Sequence, residues 1–145
     1  MKNKFICFEG VDGAGKTTLA KKLSERLNGA YLKSPPELLA KSRHLLHGAL
    51  ESMTVHYYLA GNSMVSIAAQ ELLDKTSVIA DRYFYSTCVY HFEHTRQSML
   101  PPHTEPDVVV YVQASWEEIE NRLSQREDRK EHENIGNLKK LHGLY

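Results

Sequence analysis

The sequence has few cysteines, no excess of either charge and no long apolar run. Its two cysteines, Cys7 and Cys88, fall in a predicted strand and a predicted helix, which indicates buried thiols of a reducing compartment and excludes a disulfide framework. Because 18 basic residues balance 18 acidic ones, neither a nucleic-acid polymer nor a membrane surface is expected as a partner. The chain shows no secretory h-region and no transmembrane span, so we expect a soluble, cytoplasmic protein.

Internal repeats, low-complexity segments and a histidine metal site are also missing. His44 and His47 lie three residues apart, as do His91 and His94, but no acidic or cysteine residue completes either pair. We therefore expect exposed helical histidines. At 145 residues the chain has the size of one domain, and we predict that residues 1–145 form it.

A glycine-rich stretch, GVDGAGKT at residues 10–17, matches the phosphate-binding pattern G-x-x-x-x-G-K-[ST]. The apolar run at residues 5–8 before it predicts a short buried strand. After it, Leu19, Leu23 and Leu27 recur every four residues and predict one face of a helix. Strand, loop and helix in this order are the structural context that the pattern requires.

The N-terminus of that helix is predicted to bind phosphates, because free N–H groups and the positive end of the helix dipole point at the ligand. Lys16 is expected to reach the β- and γ-phosphates of a nucleoside triphosphate, and the Thr17 hydroxyl to bind Mg²⁺. The predicted nucleotide-binding residues are Gly10, Val11, Asp12, Gly13, Ala14, Gly15, Lys16, Thr17 and Thr18.

Strands and helices alternate along the rest of the chain. Predicted strands cover residues 30–33, which Ser34-Pro35-Pro36 close, 77–80 and 107–112. Predicted helices cover residues 37–47 and 83 to about 94, and a longer helix between them has Tyr58, Val65, Ala69 and Leu72 on one face. A last helix is opened by a Ser115/Glu118 capping box and has Trp116, Ile119 and Leu123 on one face. This order predicts an α/β three-layer fold, a parallel sheet with helices on both faces. Ligands of such folds bind at the carboxyl ends of the strands.

The stretch TSVIADRY places Asp81 at the carboxyl end of an apolar strand, beside the phosphate loop in the usual sheet arrangement. A carboxylate there could hold Mg²⁺ through water or accept a proton from an attacking hydroxyl. Arg82 next to it could brace a phosphate with its planar fork. The plainer alternative is a helix-capping aspartate followed by a surface arginine.

A charged segment near the end of the chain, ENRLSQREDRKEHEN, carries arginines on one helical face. Arg122, Arg126 and Arg129 are spaced by four and three residues. They could belong to a lid that closes over the transferring phosphoryl group and excludes water. The alternative is a solvated helix on which Glu127, Asp128 and Glu131 balance the arginines.

Taken together, FEGVDGAGKTT, DRYFYST and NRLSQRED resemble the thymidylate kinase family of nucleoside monophosphate kinases. Within it, LKSPP, YYLAGN and DRYFYST are most similar to the mitochondrial-type UMP-CMP kinase branch. The similarity spans residues 4 to about 130. It implies a P-loop kinase fold, ATP and Mg²⁺ as cofactors, a pyrimidine nucleoside monophosphate as acceptor, and a homodimer as a candidate assembly.

The resemblance also assigns roles to individual residues. Asp12 would face the acceptor sugar, and Asp81 and Arg82 match the family's DR pair. Arg122 and Arg126 match its lid arginines, in a lid of about residues 122–135. Catalytic roles are thus expected for Lys16, Asp81, Arg82, Arg122 and Arg126, and Mg²⁺ ligation for Thr17 and Asp81.

The acceptor pocket departs from the family pattern. Thymidylate kinases usually have an arginine after the second strand and another in the following long helix, where this chain has Lys33 or Glu37, and Ser63. Lys33 can neutralise a phosphate charge but cannot form the bidentate fork. Tyr57 and Tyr58 are candidates to stack on the base, with core packing as the alternative. The expected acceptor-binding residues are Asp12, Lys33, Tyr57, Tyr58 and Arg82.

The C-terminus departs as well, because the family usually has a further strand and a closing helix after the lid. IGNLKKLHGLY resembles the opening of a helix that stops, so we expect a C-terminally incomplete domain, with a partner that covers the edge beside residues 107–112 as the alternative. The alternative functions are a deoxynucleoside kinase, which DRYFYST also resembles, and a nucleotide-dependent switch. The lack of an N-K-x-D motif argues against a GTPase.

Overall fold

The computed structural model describes residues 2–91, 95, 101, 103–126 and 133–145. The strands are β1 (Phe5–Glu9), β2 (Ala30–Lys33), β3 (Val78–Asp81) and β4 (Val108–Tyr111). The helices are α1 (Lys16–Leu27), α2 (Glu37–Ala40), α3 (Glu51–Leu73), α4 (Phe84–Tyr90), α5 (Trp116–Ser124) and α6 (Ile135–His142), with a 3-10 turn at Arg43–Leu46.

All described strand pairings are parallel, and the strand order is β2-β3-β1-β4. One core lies between the sheet and helices α3 and α4, with Phe5, Cys7 and Val65 among its buried residues. The other lies between the sheet and helices α1, α5 and α6, and includes Phe8 and Leu138. The predicted three-layer α/β fold is confirmed. In such a sheet β1 brings its phosphate loop next to the carboxyl end of β3.

The predicted leucine face of α1 is only partly buried, with Leu23 packed against the core. Leu19 and Leu27 are 45% and 47% exposed, whereas Ala20 is fully buried and Ser24 nearly so. Ala20 and Ser24 follow Lys16 at intervals of four residues, so they share the side of the helix that the phosphate loop turns toward the sheet. Small side chains there let the helix approach the strands closely, and the leucines fall on the neighbouring side.

The predicted helix at 37–47 is also wrong, because the chain forms α2 and then the separate 3-10 turn. Leu38 and Leu45 are 73% and 71% exposed, so this segment has no apolar face to pack. The Ser42 hydroxyl donates to the Leu39 carbonyl at 2.8 Å and competes with the helical pattern. The turn ends before Gly48, which adopts φ +75°.

The remaining elements agree with the sequence patterns within a few residues. Strand β3 begins one residue later than predicted, and α4 ends at Tyr90, with residues 92–94 of the predicted helix outside the described residues. The Ser115 hydroxyl accepts from the Glu118 N–H at 3.2 Å, which confirms the cap of α5. Ile119 and Leu123 are buried, as predicted.

Strand β4 forms one edge of the described sheet, with Val108 and Val109 45% and 41% exposed. Within the described part of the chain, no helix is both long enough and apolar enough to span a bilayer. The residues that the structure describes also contain no group of three or more His, Cys, Asp or Glu that could hold a metal ion.

Candidate active site

The phosphate loop joins β1 to α1, and its shape depends on glycine. Gly10 has φ +135°, and a Cβ atom there would lie 2.5 Å from the Val112 carbonyl oxygen, so only glycine lets β1 and the end of β4 lie this close. Gly15 has φ +101° and precedes α1, whose N-terminus has no side-chain cap. The first N–H groups of α1 are therefore available to a phosphate, and the loop fits the nucleotide that the sequence pattern predicts.

Lys16 lies inside this loop with only 5% of its surface exposed. Its Nζ donates to the Val11 carbonyl at 2.7 Å, so the ammonium group is held above the loop's own backbone. Burial, reinforced by the Arg82 guanidinium, lowers the pKa of Lys16 to about 7, although Asp12 and Asp81 oppose the shift. A phosphate in the loop would favour the charged form of Lys16.

Thr17 and Asp81 meet at the start of α1 and the end of β3. The Thr17 hydroxyl donates to Asp81 Oδ2 at 2.6 Å, and the Tyr31 hydroxyl donates to the same oxygen at 3.0 Å. Asp81 is 2% exposed. A hydroxyl and a carboxylate oxygen side by side beside a phosphate loop are ligands of the type that Mg²⁺ prefers, so these residues fit the predicted ion.

Asp12 and Arg82 form an ion pair, with Arg82 Nη2 2.6 Å from Asp12 Oδ1. The Tyr90 hydroxyl donates to Asp12 Oδ2 at 2.8 Å, and the guanidinium carbon of Arg82 lies 5.1 Å from the centre of the Tyr90 ring. Burial alone would raise the pKa of Asp12, but Arg82 and Lys16 outweigh it and hold that pKa well below its usual range. Arg82 has φ +70°, a left-handed conformation that is strained for arginine.

The two tyrosines expected to face a base are half-buried on α3. The Tyr57 hydroxyl donates to the Leu39 carbonyl, which ties α3 to the end of α2. The Tyr58 ring carries the Arg43 guanidinium 5.5 Å from its centre and packs against His91 at 5.2 Å. Burial raises the pKa of Tyr58, although the Arg43 guanidinium opposes the shift.

Lys33 makes fewer side-chain contacts than the other expected acceptor-binding residues. It is exposed at the end of β2, and its side chain forms no hydrogen bond or ion pair with the described residues. By strand alternation it shares the face of the sheet with Tyr31, opposite the face on which α3 packs. Ser63, where the family usually has an arginine, donates to the Leu59 carbonyl of its own helix at 3.0 Å.

Of the predicted lid arginines, the structure brings Arg122 to the phosphate loop. Its Nη1 donates to the carbonyls of Gly13 at 3.1 Å and Ala14 at 3.3 Å. Its Nη2 pairs with Glu118 at 2.8 Å. Arg126 instead forms an ion pair with Glu133 at 3.7 Å. Arg129 and its acidic neighbours at 127, 128 and 131 lie outside the described residues.

Several polar residues of the site were missed by the sequence reasoning. Asn62 is fully buried between Ser34 and Thr87 and binds both. Glu9 is buried at the end of β1 and binds the first turn of α4. An acid at the end of an apolar strand is the signal that identified Asp81, and the same signal could have identified Glu9. No comparable signal marks Asn62.

Comparison with known proteins agrees with this geometry. The family model described as thymidylate kinase matches residues 8–145. A probable thymidylate kinase of Methanococcus aeolicus is 36% identical over 152 residues, covering 99% of this chain and 78% of that protein. The chain belongs to the thymidylate kinase family. The match supports the family and not the mitochondrial-type UMP-CMP kinase branch within it.

Solved structures show the same fold. A thymidylate kinase from Candida albicans, 21% identical, superposes with a TM-score of 0.77 over 99% of this chain and 76% of that one. A deoxyadenosine kinase from M. mycoides, 17% identical, gives 0.74 over 97% and 81%. Because thymidylate kinases share their fold with a nucleoside kinase, overall shape does not decide between a monophosphate and a nucleoside acceptor.

Proposed function

We propose that this member of the thymidylate kinase family transfers the γ-phosphoryl group of ATP to a pyrimidine nucleoside monophosphate and releases the diphosphate. Thymidylate is the first candidate acceptor because of the family, and dUMP, UMP and CMP belong to the same class. One observation carries the proposal. At the carboxyl ends of the neighbouring strands β1 and β3, the phosphate loop holds Lys16, and two of its residues bind the end of β3: Thr17 binds Asp81, and Asp12 pairs with Arg82.

The ATP-binding side of the site consists of residues 10–18, which include Thr17, and of Asp81. The loop N–H groups would bind the ATP phosphates, and Lys16 would stabilise charge on the transferring group. Thr17 and Asp81 would hold Mg²⁺, which, when bound, neutralises charge on the phosphate oxygens. Arg122, already in contact with the loop backbone, and Arg126 would reach the phosphates from the lid.

The acceptor side requires cations, because a monophosphate brings about two negative charges into a partly buried pocket. Arg82 would brace this phosphate, and Asp12 would face the sugar. Tyr57 and Tyr58 would line the base. Lys33 is a candidate second cation, but it is exposed. Arg43 is the stronger candidate, because it lies on the Tyr58 ring and has no carboxylate within ion-pair distance among the described residues.

A panel of acceptors tests this function. ADP release is measured with dTMP, dUMP, UMP and CMP against thymidine, uridine and cytidine, in the wild type and in Lys33→Ala and Arg43→Ala. We expect monophosphates to react faster, and loss of a phosphate-binding cation to raise KM for them about 10-fold or more. Lys22→Ala and Arg26→Ala, on the exposed side of α1, are matched controls. Faster turnover of nucleosides, unaffected by either substitution, would favour the deoxynucleoside kinase instead.

We also propose a cytoplasmic location and a homodimer. The free thiols Cys7 and Cys88 fit a reducing compartment. Sedimentation equilibrium of the purified chain over a range of concentrations checks the assembly state, and fractionation of the source cells checks the location. The resemblance to the UMP-CMP kinase branch would give a preference for UMP and CMP over dTMP, which the same acceptor panel measures.

A further inference from the structure

Glu9, the last residue of β1, is a buried carboxylate that the proposed reaction does not use. It is 1% exposed and lies on the same side of the strand as Phe5 and Cys7. Its Oε1 accepts from the backbone N–H groups of Tyr83 at 2.8 Å and Ser86 at 3.3 Å. These groups belong to the start of α4, which has no side-chain cap of its own. Glu9 therefore caps this helix from another strand.

The second oxygen of Glu9 accepts a short hydrogen bond from the Ser86 hydroxyl. The Ser86 oxygen in turn accepts from Arg82 Nη1 at 2.8 Å and lies 3.0 Å from the Tyr145 hydroxyl. Because the hydroxyl proton is committed to Glu9, the serine oxygen is oriented as an acceptor toward the guanidinium. Glu9 thus determines which way Ser86 faces.

The Arg82 guanidinium is bound by a hydroxyl, a backbone carbonyl and a carboxylate. Nη1 binds Ser86 and the Gly10 carbonyl, the latter at 3.3 Å, while Nη2 binds Asp12. The N–H that Glu9 accepts from Tyr83 belongs to the peptide directly after the strained backbone of Arg82. Glu9 therefore restrains both the backbone and the side chain of Arg82.

We propose that Glu9 is a positioning residue that acts through Ser86 and holds the Arg82 fork in register with the phosphate loop. The inference rests on the proposed phosphoryl transfer, in which Arg82 braces the acceptor phosphate. Burial raises the pKa of Glu9, although Ser86 and Arg82 oppose the shift. Burying an acidic side chain reduces the free energy of unfolding, and a role in holding Arg82 in place explains why Glu9 is buried here.

Ser86→Ala is the sharpest variant, because it removes the bridge and leaves Glu9 to cap α4. Glu9→Gln keeps one acceptor for the backbone but directs an amide N–H at Ser86, which should disturb the same contact. We expect each variant to lower kcat/KM for the monophosphate about 10-fold or more. In an Arg82→Ala background, Ser86→Ala should have no further effect, because the group it positions is gone.

A merely structural role of Glu9 and Ser86 gives a different pattern. Both variants would then lower kcat/KM by the same factor with and without Arg82, and only in proportion to the loss of melting temperature. Val65→Ala, a buried change on a different element, is the control for that loss. Equal factors in the two backgrounds would overturn the proposal.

A readout without turnover separates this inference from the proposed function. The guanidinium ¹⁵N–¹H signals of Arg82 are identified by their loss in Arg82→Lys and recorded for the wild type, Ser86→Ala and Val65→Ala. We expect slow rotation of the guanidinium in the wild type and in Val65→Ala, and fast rotation in Ser86→Ala. If no monophosphate reacts, the proposed function fails, yet these spectra still decide whether Ser86 fixes Arg82. Unchanged rotation in Ser86→Ala would contradict the inference.

Discussion

At the scale of single residues, the proposed chemistry depends most on Lys16. Replacing it with alanine removes the charge that acts on the transferring phosphoryl group, where electrostatic stabilisation is the main source of catalysis. We expect kcat to fall at least ~100-fold, the scale for loss of one such contact. Circular dichroism should show an unchanged fold, and Lys22→Ala on the outer side of α1 should behave as wild type. Near-normal turnover in Lys16→Ala would exclude the kinase.

The Asp12–Arg82 pair makes stability depend on pH. The folded-state pKa of Asp12 is depressed because Arg82, Lys16 and the Tyr90 hydroxyl face its carboxylate and outweigh its burial. The stabilisation is therefore present above the unfolded pKa of about 3.9 and is lost as pH falls below it. We expect urea unfolding between pH 6 and pH 3 to show a steeper loss for the wild type than for Asp12→Asn. Parallel pH profiles would contradict the pair's contribution.

Sequence patterns predict residues whose geometry is local. The phosphate loop was found because its glycines, lysine and threonine are neighbours in the chain. The contacts of Glu9 could not be predicted, because its partner Ser86 lies 77 residues away. Asn62 was missed for the same reason, since it binds Ser34 and Thr87, 28 and 25 residues distant. Arg43 could not be predicted either, because its position on Tyr58 depends on how the 3-10 turn packs against α3.

At the scale of elements, α5 contacts the phosphate loop through Arg122. If Arg122 and Arg126 act mainly in the transition state, alanine at either should lower kcat more than it raises KM. Steady-state kinetics with ATP and the best acceptor measure both constants, and Gln125→Ala between them is the control. A change confined to the melting temperature would indicate a solvated charged segment without a catalytic role.

The close approach of the phosphate loop to β4 depends on Gly10. In Gly10→Ala the new methyl group would lie 2.5 Å from the Val112 carbonyl, and the backbone would keep φ +135°. We expect a loss of about 2 kcal/mol or more in the free energy of unfolding, from strain and overpacking together. Gly48→Ala is the matched control, because Gly48 also has positive φ but nothing within 4 Å of the added carbon. Equal losses in urea titrations would contradict the close approach as the cause.

Element type was easier to predict than element orientation. The helical pattern of α1 was correct, but its leucine face is not its most buried face, because the phosphate loop turns the side that Lys16, Ala20 and Ser24 share toward the sheet. The helix at 37–47 failed because local propensity without an apolar face does not sustain a helix. The Ser115 cap of α5 was predicted because capping needs only neighbouring residues.

At the scale of the whole molecule, the sheet order places the site. The alternation of strands and helices predicted parallel strands, and the order β2-β3-β1-β4 sets the ends of β1 and β3 side by side. The sequence predicted this neighbourhood only by assuming the usual arrangement, since pairing joins residues more than 70 positions apart, such as Phe5 and Val78. What the sheet cannot specify is the acceptor, which we propose is selected by a few side chains around Tyr58, Arg43 and Arg82.

The central claim is transfer of phosphate from ATP to a monophosphate, and ³¹P NMR of the purified chain with ATP, Mg²⁺ and dTMP tests it most directly. We expect dTDP and ADP to form in equal amounts, and we expect Lys16→Ala to abolish both signals. Release of inorganic phosphate without dTDP would identify a nucleotide hydrolase or switch. Formation of dTMP from thymidine and ATP, with no dTDP from dTMP, would equally contradict the account.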